Sequence, residues 1–169
     1  MSAHSSGGAP SAGPGGQVGQ GGQLGSDSDT ADAVQAALGT EHAAVWSYGL
    51  IAAFLDQPLE RWTRMDADAH RARRNTIVSL LTDAGRRPVP SEAAYRTPSP
   101  VTDQDTAIAL AQAAEHDCAA AWHSVLQRCD DPALRRTALD GLTDAATRGA
   151  RWASRSRTRP LVPALPGES

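Results

Sequence analysis

The sequence predicts an all-α protein, a four-helix bundle in which one long crossover joins two antiparallel helical hairpins. Three observations predict this fold. Apolar residues recur at spacings of three and four along four long segments, which is the period of an amphipathic helix. The links within each hairpin are only a few residues long, whereas the middle link, residues 85–101, contains four prolines. Fully extended, that link would span about 50 Å, more than the roughly 40 Å of the longest predicted helix.

The bundle is expected to occupy residues 29–157 of the 169-residue chain. Residues 1–28 consist mainly of Gly, Ser, Gln and Pro, which predicts a disordered tail. Residues 158–169 form a Pro-containing C-terminal tail. The net charge of −3 argues against a nucleic-acid partner. Because no apolar stretch is long enough to span a bilayer or to act as a signal peptide, we expect no membrane partner and a cytoplasmic location.

The first hairpin is delimited by its prolines and by a glycine. Its first helix is expected to begin at Asp29 or Thr30 and to end near Asp56, ahead of Pro58. Its second helix is expected to carry Pro58 in the first turn and to end at Gly85, a residue suited to a helix C-terminus.

The second hairpin shows similar signals. Its first helix is expected to start at Thr102, with Asp105 in the position of a capping-box partner. Its second helix has Asp131 as N-cap and Pro132 in the first turn, and is expected to run to about Ser156.

Two glutamates, Glu41 and Glu115, fall on the apolar stripes of the first and third helices. A buried carboxylate is costly unless a cation, a hydrogen-bond donor or a metal pairs with it. A shift of 74 residues (from 41 to 115) superimposes the two glutamates and also aligns further polar residues of the second and fourth helices. The predicted site is therefore a buried polar network, or a degenerate metal site, formed by Glu41, His70, Arg74, Glu115, Asp144 and Arg148.

Several strings carry a resemblance to a known family. They are TEHAAVWSYG at 40–49, HRARR at 70–74, AY at 94–95, PSPVT at 98–102, TDAA at 143–146 and RW at 151–152. Together they resemble a ferritin-like domain family of unknown function from high-GC bacteria, over roughly residues 30–166. The resemblance implies a ferritin-like bundle, and it implies no particular reaction because the family has none assigned.

Active ferritin-like di-iron proteins take a glutamate from each of two helices and a Glu-x-x-His motif from each of the other two. Here Glu41 and Glu115 match the single glutamates, and His70 matches one histidine. The residue three positions before His70 is Ala67, so the motif of the second helix lacks its glutamate.

The motif of the fourth helix is incomplete in either alignment. If Asp144 takes the histidine position, Gly141 stands in place of the glutamate; if Asp144 takes the glutamate position, Thr147 stands in place of the histidine. We therefore expect a non-catalytic binding or interaction module that has lost the di-iron centre, with no catalytic residue and no cofactor. Arginine close to the carboxylates favours this interpretation because a guanidinium competes with a metal for their oxygens.

The alternative is a residual mononuclear metal-binding or oxidoreductase-type protein. Its metal would be iron, manganese or zinc, and its candidate ligands are Glu41, His70, Glu115 and Asp144. The expected protein partner is a second copy in a homodimer, by analogy with other bundles of this fold, and the sequence identifies no small-molecule ligand.

Three residues of the helices receive simpler interpretations. Asp66 and His70 are interpreted as an i,i+4 pair that supports the second helix, and Cys118 as a small core residue.

Overall fold

The computed structural model describes residue 1 and residues 28–156, and within them the chain forms four α-helices and no strand. The helices are α1 (Ser28–Ile51), α2 (Gln57–Asp83), α3 (Gln104–Arg128) and α4 (Pro132–Ala153). The predicted all-α fold, with two hairpins and a Pro-rich crossover, is confirmed. Apart from Met1 and Ser28, the predicted N-terminal tail lies outside the described residues, as does the C-terminal tail.

The first hairpin turns earlier than the sequence predicts. Helix α1 ends at Ile51 instead of near Asp56. Pro58 lies in the first turn of α2, as expected, and Asp56 is the extended N-cap residue before it. The chain must therefore reverse direction before Asp56. The residues after Ile51, predicted to form the last turn of α1, instead form the loop between the two helices.

The other helix ends follow ordinary capping rules. Asp103, not Thr102, is the N-cap of α3, and it forms a reciprocal capping box with Thr106. The capping box therefore lies one position further along the chain than predicted, and Thr106, not Asp105, is the partner of the N-cap residue. Gly85 has φ of +69° just beyond the C-terminus of α2, which is the left-handed conformation that glycine adopts most easily.

The start of α4 is as predicted, because the Asp131 side chain accepts a hydrogen bond from the Leu134 amide and Pro132 occupies the first turn. This helix ends at Ala153, before the predicted Ser156.

The crossover, residues 84–103, runs the length of the bundle beside α1. The Gln35 side chain binds the backbone of Arg87 and Val89 near the start of α1. Further along, the His42 ring contacts the Val89 carbonyl at 3.2 Å. Because the crossover returns to the opposite end before α3 begins, α3 runs antiparallel to α1.

Helix α1 packs against α2 and α3, and α3 packs against α4. The backbones of α2 and α4 make fewer close approaches than these three pairs, and side chains connect them instead. The Thr30 hydroxyl donates to the Arg128 carbonyl, which ties the start of α1 to the end of α3.

Two large apolar clusters fill the ends of the bundle. Between them lie a layer of polar side chains and a small third cluster of Ala44, Cys118, Ala119 and Ala145. One cluster includes Leu38, Leu81, Trp122 and Leu134. The other cluster is built around Tyr48, Ile51, Leu59, Ile108 and Trp152. The burial of these large side chains supplies most of the driving force for packing. It also encloses any charged group that lies midway along the helices.

Candidate functional site: a buried charged network

Four charged side chains, one from each helix, meet at the centre of the bundle. They are Glu41 of α1, His70 of α2, Glu115 of α3 and Arg148 of α4, with relative exposures of 0, 0, 1 and 8%. Glu41, His70 and Glu115 interrupt an apolar stripe near the middle of their helices, and Arg148 does so in the last third of α4. The same packing that buries the stripes therefore brings the charges together. Their mutual contacts compensate the cost of removing them from water.

The His70 ring bridges the two glutamates. Its Nδ1 lies 2.7 Å from Glu41 Oε2, and its Nε2 lies 3.1 Å from Glu115 Oε1. An ionised carboxylate only accepts hydrogen bonds, so both ring nitrogens must donate, and a ring that donates twice is an imidazolium. Burial alone would lower the pKa of His70, but hydrogen bonds to Cys118, Glu115 and Glu41 raise it to about 12. His70 is therefore a buried cation at neutral pH.

Glu115 is surrounded by donors. Arg148 Nε lies 2.9 Å from Oε1 and 3.0 Å from Oε2, and the Tyr48 hydroxyl donates to Oε1 at 2.6 Å. Burial alone would raise the pKa of Glu115, but the hydrogen bonds and positive charges of His70 and Arg148 lower it. Burial, together with the nearby carboxylates, raises the pKa of Tyr48 well above its usual value. Tyr48 is therefore a neutral donor to an ionised glutamate.

Glu41 has fewer partners. The indole of Trp122 donates to Oε1 at 2.9 Å, and His70 occupies Oε2. The Trp122 ring packs directly against Gly141 of α4, and it lies 2.6 Å from the point where a Cβ on that glycine would sit. Glycine at position 141 therefore allows the indole to lie against α4 and to reach Glu41.

Asp66 extends the network towards the surface. The indole of Trp152 donates to Asp66 Oδ2 at 2.9 Å, and the Arg151 guanidinium binds both oxygens. The Tyr48 hydroxyl, 3.4 Å from Asp66 Oδ2, links this part to Glu115. The expectation that Asp66 pairs with His70 along α2 is wrong, because the Asp66 carboxylate turns to residues of α4.

The network as a whole is electrically balanced. Its three carboxylates face three cations: His70, Arg148 and Arg151. Charge balance and hydrogen bonding are the conditions under which buried charges are tolerated. Among the described atoms of the network, Arg151 Nε is buried without a hydrogen-bond partner.

Two of the six predicted site residues lie outside the network. Arg74 binds the side chain of its neighbour Asn75 at 3.0 Å. Asp144 has a 53% exposed side chain and pairs with Arg73, not with a buried group. The structure brings together Glu41, His70, Glu115 and Arg148. Of each pair that the 74-residue shift superimposes in α2 and α4, one member contacts the glutamates and the other, Asp144 or Arg74, does not.

Three further residues of the network lie on the same apolar stripes as the two glutamates. Tyr48 lies seven residues after Glu41, and Trp122 lies seven after Glu115, so each pair is on one face of its helix. Cys118 is three residues after Glu115, again on the same face. Such spacing identifies the stripe, but it does not identify which donor contacts which carboxylate across the bundle.

Cys118 completes a group of metal-ligand atoms. The Cys118 thiol, a Glu41 oxygen and a His70 nitrogen lie within 4.8 Å of one another, and all three residues are buried. Burial and the charge of Glu41 raise the pKa of the Cys118 thiol to about 11, against an opposing effect of His70. In the absence of a bound metal ion, Cys118 is therefore a neutral thiol at neutral pH.

The fold and the site define a four-helix bundle with an internally balanced polar core. A family described as a domain of unknown function, DUF4439, matches residues 33–169, and the chain belongs to this family. It is also similar to the crystal structure of a conserved hypothetical protein, rv2844, from Mycobacterium tuberculosis. That similarity has a TM-score of 0.74 at 28% identity, and covers 76% of this chain and 97% of the other.

No curated protein matches the chain. Among the helices described, none is long and apolar enough to cross a membrane.

Proposed function

We propose that this domain is a non-catalytic ferritin-like bundle, acting as a binding or interaction module, in which a charged hydrogen-bonded network takes the place of a di-iron centre. One observation carries the proposal: every carboxylate oxygen of Glu41 and Glu115 already accepts from a protein donor. A pair of metal ions would have to displace these donors, including a guanidinium held on both oxygens of Glu115.

The residues present do not fit a paired metal centre. The position three before His70 is Ala67, a buried residue without a donor atom. On α4 the corresponding position is Gly141, and the indole of Trp122 occupies the space that a glutamate there would need. Asp144, the remaining candidate ligand, is turned to Arg73. Of the six ligands that a di-iron bundle uses, only Glu41, His70 and Glu115 have matching side chains in the core.

The electrostatics favour a structural role for the network. Catalytic acids and bases need a pKa near the working pH, whereas the pKa of His70 is raised to about 12 and that of Tyr48 lies well above its usual value. Both groups are also held by partners within the protein. A network of this kind favours one packing arrangement of the helices over others, as a module that presents a constant surface requires.

Elemental analysis of protein purified without a histidine tag tests the proposal. We expect no paired iron or manganese, and no oxygen consumption when ferrous iron is added. Two equivalents of iron or manganese per chain, lost in Glu41→Gln and retained in the surface variant Asp68→Asn, would overturn it.

The expected homodimer belongs to the same proposal. Light scattering on the purified chain should give twice the monomer mass; a monomer at all concentrations tested would remove the homodimer from the proposal.

A further inference from the structure

Three helices of the bundle contribute donor atoms of three different kinds to one point. Glu41 offers an oxygen, His70 a nitrogen and Cys118 a sulfur, and the three atoms lie within 4.8 Å of one another. In a tetrahedral site with bonds of about 2.0 to 2.3 Å, ligand atoms lie roughly 3.3 to 3.8 Å apart, so His70 Nδ1 and Glu41 Oε2, now 2.7 Å apart, would separate and any longer distance in the group would shorten on binding. Because α1, α2 and α3 supply one ligand each, packing of the bundle itself assembles the group.

The surroundings of His70 match those of a metal-bound histidine. In metal sites the ring nitrogen that is not bound to the metal usually donates to a carboxylate, which orients the ring. Here Nε2 contacts Glu115 at 3.1 Å, and Glu115 is itself held by Arg148 and Tyr48. This leaves Nδ1, on the side of Glu41 at 2.7 Å, as the nitrogen available to a metal.

Charge balance permits the exchange of protons for a metal ion. His70 carries a proton on Nδ1 that it shares with Glu41, and Cys118 carries its thiol proton. A divalent cation bound to Nδ1 and the sulfur would take the place of the proton between Nδ1 and Glu41 and of the thiol proton, so two protons would leave as two positive charges enter. The ion must therefore compete with protons for these groups, and its binding should tighten as the pH rises.

We propose that Glu41, His70 and Cys118 form a mononuclear site for a thiophilic divalent cation of the Zn²⁺ type, distinct from a di-iron centre. A ligand set with thiolate and imidazole selects zinc over magnesium, calcium or manganese, which prefer oxygen ligands. The site rests on the proposed function only in requiring that no paired iron centre occupies the same glutamates. The role of the ion is to tie α1, α2 and α3 together.

Titration of the full chain with Co²⁺ and Zn²⁺, after treatment with a chelator, tests the site. We expect one equivalent per chain, a thiolate-to-cobalt charge-transfer band that Zn²⁺ abolishes, and release of two protons per ion. Melting temperature should rise with Zn²⁺ concentration, as expected for a ligand that binds the native state, and should not respond to Mg²⁺.

Matched variants separate this site from other binding. Cys118→Ser should remove the charge-transfer band and weaken Co²⁺ binding by at least about 10–100-fold, the loss typical of perturbing even an outer-shell residue. Cys129→Ser, the other buried thiol, should change neither. Circular dichroism of the metal-free Cys118→Ser protein checks that the variant is folded, and Cys118→Ala provides a second test if it is not.

The outcomes distinguish the two proposals. Absence of Co²⁺ binding by folded wild-type protein, or a band that persists in Cys118→Ser, would overturn the mononuclear site and leave the proposed function intact. Two iron ions per chain, bound independently of Cys118, would overturn both.

Discussion

Glu41 and Glu115 occupy equivalent positions in the two hairpins, yet they are neutralised in different ways. Glu115 contacts two cations, His70 and Arg148, and the Tyr48 hydroxyl. Glu41 contacts one cation, His70, and the neutral indole of Trp122. An arginine keeps its charge at any accessible pH, whereas a histidine can lose its proton.

The network thus has two halves. In the permanent half, Glu115 is paired with Arg148, which keeps its charge; in the exchangeable half, Glu41 is paired with His70, which can lose its proton. The charge of Glu115 stays compensated whether or not His70 is protonated. The charge of Glu41 is compensated only by the proton on His70, or by an ion that replaces it. A change of protonation, or the binding of an ion, is therefore expected on the side of Glu41, where Cys118 also lies.

The largest effect is expected from removing the permanent cation. Arg148→Met would leave Glu115 buried with His70 as its only cation and should cost about 3–5 kcal/mol of unfolding free energy. Urea denaturation at neutral pH measures the change. The control is Arg74→Met, at the equivalent position of the first hairpin. Its side chain binds the neighbouring Asn75, so the loss should stay below about 0.5 kcal/mol. Equal losses of unfolding free energy in the two variants would show that Arg148 is not needed to neutralise Glu115.

Raising the pH should weaken the exchangeable half in metal-free protein. The pKa of His70 is about 12 in the folded protein against 6.5 for an ordinary histidine, so its contribution to stability is complete below pH 6.5 and is lost as the pH rises towards 12. The slope should reach at most roughly 1.4 kcal/mol per pH unit.

Ionisation of Glu115 changes the stability with pH in the opposite direction. Its pKa is lowered from 4.5, so its contribution is present above that value and is lost as the solution becomes more acidic. Urea denaturation across this pH range should show the highest stability in weakly acidic solution. A stability that is constant through the alkaline range would show that His70 is neutral in the folded state.

Trp122→Phe should remove the neutral donor of Glu41 and keep an aromatic ring in the core. Hydrogen bonds to charged groups contribute about 1.5–3 kcal/mol, so we expect a loss of about 2 kcal/mol in chemical denaturation. Trp152→Phe is the matched variant, and its loss should be smaller, because Asp66 Oδ2 keeps the Arg151 guanidinium whereas Trp122 is the donor to Glu41 Oε1. The reverse order would mean that Glu41 has another donor.

The smallest effect is expected from Gly141→Ala. The added Cβ would lie 2.6 Å from the Trp122 ring, and such overpacking costs about 1–3 kcal/mol, partly offset by the roughly 1 kcal/mol that alanine gains over glycine in a helix. We expect a net loss of about 1 kcal/mol in thermal or urea unfolding. Gly39→Ala, where a Cβ meets no atom within 4 Å, should instead stabilise the protein.

The helices and their connectivity were predictable because they depend on local signals. These signals act within a few residues: the apolar spacing, the caps at Asp131 and Gly85, and the prolines of the crossover. Helix α4 starts where they indicate. The early end of α1 was not predictable, because the reversal that places α2 against α1 decides it.

The buried glutamates were also predictable, since a carboxylate on an apolar stripe must find a partner in the core. Their partners depend on geometry across helices. Arg73 and Arg74 are adjacent in the chain, but Arg73 turns to Asp144, and the arginine on Glu115 comes from α4.

Residue spacing along the chain thus defines which residues enter the core and that the core contains charge. Tertiary structure alone decides which cation, indole or thiol reaches each carboxylate, because hydrogen bonds form over about 3 Å. Helix rotations and offsets too small to read from periodicity move side chains by more than that. The bundle was therefore evident from the pattern of residues, whereas the balanced network and the position of Cys118 beside Glu41 and His70 follow only from the packed helices.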